Sequence, residues 1–327
     1  MINVHFMKYY LLVLFTVLSI SHSFSQYLPK TFKHEFGFRS DNDSYLAQGQ
    51  DRYYTNGLFL HFRTALDQSK LKNNKLNKVI WELEAGQKMY NPQSGNIIDI
   101  AYVDRPFAAY LYAGAAINFL YNLENNLKLS VQAGTIGPSA RGEEAQELLH
   151  SKIGFYEIKG WEWQVNNETG FNTSIEYNRF LSRTESGKTD FTLNSYVNIG
   201  NTFAGAGTGI MFRAGAINQL FNSAGSQSTV ANNSNSEPEK DKEFFFYAKP
   251  MLHFVAYDAT IQGGLFREDK GPVVFDTKPL VFSQQVGAIY SKKRWTADLS
   301  VLFKSREVKS IARPHQYGSF ALFYRFD

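Results

Sequence analysis

The chain has 327 residues, with 34 Lys+Arg against 30 Asp+Glu, 28 Phe, 19 Tyr, 4 Trp and no Cys. A formal net charge of +4 is too small and dispersed for the basic stripe of a nucleic-acid-binding protein, so no nucleic-acid partner is expected. The missing cysteine removes disulfide scaffolds, thiolate metal sites, Fe–S clusters and cysteine nucleophiles, and a mean hydropathy of -0.32 excludes a multi-helix membrane protein.

Lys8 precedes an apolar run over residues 9–20, interrupted only by Thr16 and Ser19, and Ser23 and Ser25 supply the small residues of a cleavage site ahead of Gln26. Residues 1–25 are therefore expected to be a cleaved signal peptide, with residues 26–327 the mature domain outside the cytoplasm. Residues 40–57 come next and are dense in oxygen-bearing side chains: Ser40-Asp41-Asn42-Asp43-Ser44-Tyr45, then Asp51-Arg52-Tyr53-Tyr54-Thr55-Asn56-Gly57. Such a segment fits a hard cation such as Ca²⁺ or simply a polar turn. It is no EF-hand, because Leu46 and Arg52 stand where that loop needs Gly and Glu.

Residues 127–133 alternate, with Leu127, Leu129, Val131 and Ala133 opposite Lys128, Ser130 and Gln132. Residues 137–150 break that pattern. Ser139 can cap a helix, Glu143 and Glu144 suit its positive end, and Glu143, Gln146 and His150 share a face at helical spacing. Alternation returns in residues 191–199, where Phe191, Leu193, Val197 and Ile199 oppose Thr192, Asn194 and Asn198. The polar residues 222–242 read as a mobile surface loop. Trp295, Ala297, Leu299, Val301 and Phe303 form another apolar parity, and Phe320, Leu322, Tyr324 and Phe326 close the chain with an aromatic strand.

Period two with one apolar face specifies sheet. Either a soluble β-sandwich or an outer-membrane barrel satisfies it, the first burying the apolar face and the second turning it to lipid. Segment lengths near those of tilted spanning strands, aromatics near segment ends and the aromatic terminal strand favour an all-β transmembrane antiparallel barrel carrying one short helix.

Chemistry is expected where the two polar segments meet. Beyond the leader the histidines are His34, His61, His150, His253 and His315, and only His150 lies outside strand-like sequence. The motifs Asn42-Asp43-Ser44-Tyr45, residues 51–57, residues 137–150 and Gly160-Trp161-Glu162-Trp163-Gln164, in this order, resemble the lipid A 3′-O-deacylase family of outer-membrane enzymes. Arg105-Pro106-Phe107-Ala108-Ala109-Tyr110 is similar to a further family segment.

The resemblance implies a barrel of twelve strands and a Ca²⁺-dependent esterase acting on lipid A of lipopolysaccharide among outer-membrane lipids. It implies insertion by the barrel-assembly machinery. His150 would be the general base, with Asn42 and Asp43 in the calcium and catalytic centre, and Thr55 a polar active-site residue. Gln146 would orient the base or the substrate, Lys88 would match a basic active-site residue, and Glu157 a carboxylate ligand of the metal. Ester hydrolysis needs an activated water and a stabilised oxyanion, which neutral imidazole and a bound cation can supply; no Gly-x-Ser-x-Gly elbow is present. The competing readings are a non-catalytic porin or scaffold barrel, an outer-membrane phospholipase and a soluble β-sandwich.

Overall fold

A computed structural model describes residues 31–46, 51–71, 73–233 and 238–327, so the expected signal peptide lies outside the described residues. Twelve antiparallel strands form one closed ring: β1 (His34–Asn42), β2 (Tyr53–Ala65), β3 (Leu76–Asn91), β4 (Ala108–Tyr121), β5 (Asn125–Ile136), β6 (Glu168–Arg183), β7 (Thr189–Gly200), β8 (Phe203–Ala216), β9 (Lys242–Asp258), β10 (Leu280–Lys292), β11 (Trp295–Lys304) and β12 (His315–Phe326). Each pairs with its chain neighbours, and β1 closes the ring on β12, from His34↔Phe326 to Asn42↔Gly318. Closure leaves no free sheet edge, the condition a sheet must meet within lipid.

The apolar parity of these strands points out of the ring. Phe171, Ile175, Val197, Ile199, Leu252 and Leu299 are all exposed, whereas the opposite parity carries Glu82, Asn118, Asn172 and Ser300, buried inside. A sandwich would bury the apolar set, so the soluble alternative is excluded, and the chain has the wall of a membrane barrel. No helix among the described residues is long and apolar enough to cross a membrane.

The two mouths differ. At one, β4–β5, β6–β7 and β10–β11 turn back within a few residues; at the other, long connections follow β1, β3, β5, β9 and β11. Short turns face the periplasm and long loops the exterior in such barrels, which puts the long connections on the outer side. One of them holds helix α1 (Gly142–Ile153), and another the short α2 (Ala259–Gln262). The helix forms as expected, but Ser139 does not cap it. Ser139 lies in a 3-10 turn, Pro138–Ala140, and the cap position is Arg141, in the left-handed region at φ 57° with no side-chain cap bond.

Residues 222–242 also depart from expectation. The described ones, 222–233 and 238–242, lie at the inner mouth, and Asn222, Ser223, Ser228, Val230 and Ala231 are buried. A polar sequence is solvated by default, but here the barrel wall supplies the partners that water would otherwise provide.

Candidate active site

Strand β1 delivers Asn42 to the outer mouth, where the chain enters the 3-10 turn Asp43–Leu46 and the Asn42 amide oxygen accepts from the Ser44 N–H at 2.7 Å. Asp43 is buried, and its Oδ2 accepts from the Arg52 N–H at 2.9 Å. On β2 the pairing with β3 slips between Tyr54 and Asn56, leaving Thr55 as the extra residue of a bulge. A bulge re-aims the side chain it carries. The Thr55 hydroxyl lies between two carboxylates, 3.2 Å from Asp43 Oδ1 and 3.4 Å from Asp51 Oδ1, and can donate to one at a time.

Helix α1 brings His150 to the same place. Its start sits hard against the barrel: a Cβ on Gly142 would come 2.5 Å from both Ala109 and the Trp161 ring, so only glycine fits. Its end is set by Gly154, left-handed at φ 72°, whose N–H caps the His150 carbonyl. The chain then folds back, so that the Tyr156 carbonyl accepts from His150 Nδ1 at 2.9 Å. The other ring nitrogen, Nε2, is 2.9 Å from Asp51 Oδ2, which the Tyr156 hydroxyl also reaches. The outcome is one continuous relay from His150 through Asp51 and Thr55 to Asp43.

Both His150 nitrogens face atoms that can only accept, so in this arrangement the ring carries both protons. Burial opposes that charge, but the Asp51 hydrogen bond, the Tyr156 carbonyl and the Asp51 charge outweigh it and raise the His150 pKa above its ordinary value. Burial would likewise raise Asp51, yet hydrogen bonds from His150 and Tyr156 hold it below the usual carboxylate range. Among the described residues Asp43 is in ion-pair contact with no such cation. Burial, then the neighbouring Asp51 charge, push it up to about 8 against the Arg52 and Thr55 hydrogen bonds.

This arrangement fits a hard cation. Oxygens of Asp43, Asp51 and Thr55 lie together and could hold one, with Asn42 next to Asp43 in the chain. Asn56, opposite Asn42 in register, keeps a buried side-chain oxygen without a hydrogen-bond partner among the described residues. Among the described residues, none pairs the Asp43 carboxyl with the positive charge that would keep it ionised. A second group, His61, Glu82 and Glu84, places its ligand atoms within 4.8 Å of one another inside the lumen. There Glu82 already pairs with Arg63 Nε at 3.1 Å and Lys128 Nζ at 3.0 Å. These fixed cations supply the charge a metal would bring, so this group fits an ion less well.

Asp43, Thr55 and His150 thus come together through Asp51, Asn42 adjoins Asp43 at the end of β1, and Gln146 lies one turn from His150 on the buried face of α1. Its Oε1 accepts from Trp161 Nε1 at 2.9 Å, a bond that docks the helix. Glu143 does not share that face; it is exposed. Lys88 stands apart in the lumen, with Nζ 5.6 Å from the Tyr112 ring centre and 5.4 Å from that of Phe203. Glu157 does not join the site either: its side chain is 76% exposed and pairs with Lys159 at 3.1 Å, because the residue before it, Tyr156, takes the inward position after the Gly154 turn. Asp51 and Tyr156 are the partners that sequence reading did not single out. Asp51 opens the motif of residues 51–57, which was the available signal.

The outer membrane protein LpxR family model matches residues 11–326. The chain belongs to this family. It is the lipid A 3′-O-deacylase family that the motifs resemble, so the chain is an outer-membrane lipid A deacylase, an ester hydrolase. Among solved structures, LpxR from Salmonella typhimurium aligns with TM-score 0.72 and 22% identity, covering 89% of this chain and 100% of that one. The β domain of the Bordetella autotransporter BrkA aligns at TM-score 0.46 and 11% identity, covering 90% and 100%. No curated protein sequence matches the chain significantly.

Proposed function

We propose that the chain hydrolyses the 3′-linked acyloxyacyl ester of lipid A by direct attack of water, with His150 as general base and a Ca²⁺ ion held by Asn42, Asp43 and neighbouring oxygens. The observation that carries this reading is the His150–Asp51–Thr55–Asp43 relay at the outer mouth. When bound, the cation offers positive charge to the ester carbonyl oxygen as it becomes an oxyanion. His150 takes a proton from water as the water oxygen bonds to the carbonyl carbon, then returns it to the departing alkoxide as the C–O bond breaks. Acid and alcohol result, with no acyl-enzyme. The Tyr156 carbonyl fixes the ring through Nδ1, so Nε2 is the working nitrogen, and it must exchange its contact with Asp51 Oδ2 for one with water. A residue 1–25 leader and assembly-machine insertion fit the same outer-membrane setting.

Lipid A from a strain expressing the chain tests this reading. Mass spectra are expected to show loss of one acyloxyacyl unit. Intact lipid A would favour a non-catalytic barrel, and fatty acid released from phospholipid instead would favour a phospholipase.

The electrostatics give a second test. His150 acts as base only when neutral, and its raised pKa moves the acid limb of the rate profile above the ordinary histidine value of about 6.5. Asp51→Asn removes the carboxylate that holds the ring charged, so the limb is expected to move to lower pH. Histidine NMR of the metal-free protein reads the same shift directly. An unchanged His150 titration in Asp51→Asn would refute the coupling.

A further inference from the structure

We propose that residues 217–233 are a plug that closes the inner mouth of the barrel and makes its lumen non-conducting. The ring order places β8 and β9 half a circumference away from β2 and β3. The segment leaves β8 and is held on that side: Arg213 Nη1 donates to Ser223 Oγ at 2.6 Å, and Glu243 accepts from the Ala224 N–H at 2.7 Å. It is also held on the opposite wall. Lys78 of β3 donates to Asn222 Oδ1 and to the Ser228 carbonyl, both at 2.9 Å. Thr229 donates to Glu35 of β1 at 2.8 Å, and Val230 packs against Ala65, Ile80 and Leu120. A chain anchored on diametrically opposed strands must cross the opening between them.

The width of the barrel gives the crossing a purpose. Eight strands leave an interior that side chains fill, and sixteen or more leave an aqueous channel. Twelve fall between, and cavities of about 550 and 360 Å³ remain in this lumen. Gln227 of the segment lines both, so the plug forms their floor. Its anchors are buried charges: Arg213, Lys78 and Glu35 are each 2% exposed or less. Such groups stay buried only when paired, and the plug supplies part of that pairing. A membrane enzyme built this way keeps its polar interior without leaking solutes. The inference stands independently of the ester chemistry.

Planar-bilayer conductance tests it. The full-length chain is expected to give no unitary steps. Replacing residues 219–239 by Gly-Ser-Gly joins Asn218 to Lys240, which already bond to each other at 2.8 Å, and is expected to yield steps, with folding verified by heat-modifiable gel mobility. Because the chain lacks cysteine, Ile80→Cys reports plug seating in the otherwise intact protein: labelling by a water-soluble thiol reagent is expected to be about a hundredfold slower than in denaturant. Conductance by the full-length chain, a folded excision variant that stays closed, or Ile80→Cys labelling at the unfolded rate would each overturn the proposal.

Discussion

His150→Ala is expected to abolish lipid A deacylation while the barrel still assembles. The loss should be about a hundred- to ten-thousand-fold, the contribution of a positioned general base. Assembly should survive because α1 is docked independently of the ring, through the Gln146–Trp161 bond and the close seat of Gly142 on Ala109. The cost falls locally on Asp51, which loses its cation but keeps the Tyr156 and Thr55 hydroxyls. Lipid A mass spectra and gel mobility of the same preparation separate the two effects. Continued acyl loss in this variant would defeat the proposed base.

Asp43→Ala is expected to abolish activity as completely, by a different route. Asp43 is a buried carboxyl whose partners among the described residues are a backbone N–H and a hydroxyl rather than a cationic side chain. Its pKa of about 8 means that near neutrality, without metal, it is mostly protonated. Cation binding must displace that proton, so apparent affinity rises with pH up to about 8 and levels off above it. Below that point each pH unit should change the Ca²⁺ concentration needed for half-maximal rate by about tenfold. EDTA should silence the wild type and added Ca²⁺ should restore it. A Ca²⁺ requirement independent of pH would remove Asp43 from the site.

Much of this architecture was legible from residue parity. Leu129, Val131, Val197, Ile199 and Leu299 sit on the exposed wall that their alternation requires, since a strand has only two faces. The choice of lipid over a second sheet followed from strand length and aromatic placement. The helix was legible from its composition, but its cap was not, because the left-handed Arg141 is fixed by the docking of Gly142 on Trp161.

Asp43, Thr55 and His150 were readable through motifs, whereas Asp51's pairing with His150 was not. That contact joins residues far apart in the chain, and it exists only because one loop end and one helix end meet at the barrel mouth. Glu157 fails for a related reason: the Gly154 turn decides which residue faces inward, and it selects Tyr156. Residues 222–242 look solvated by composition because nothing local reveals Lys78, Arg213 and Glu35 waiting across the ring.

The most direct measurement is Ca²⁺ binding to the purified full-length barrel by titration calorimetry, comparing wild type with Asp43→Ala and with Glu84→Gln in the lumenal group. The outer-mouth site predicts binding by wild type and Glu84→Gln alike, and none by folded Asp43→Ala. Binding that survives Asp43→Ala unchanged, or that disappears in Glu84→Gln, would contradict it.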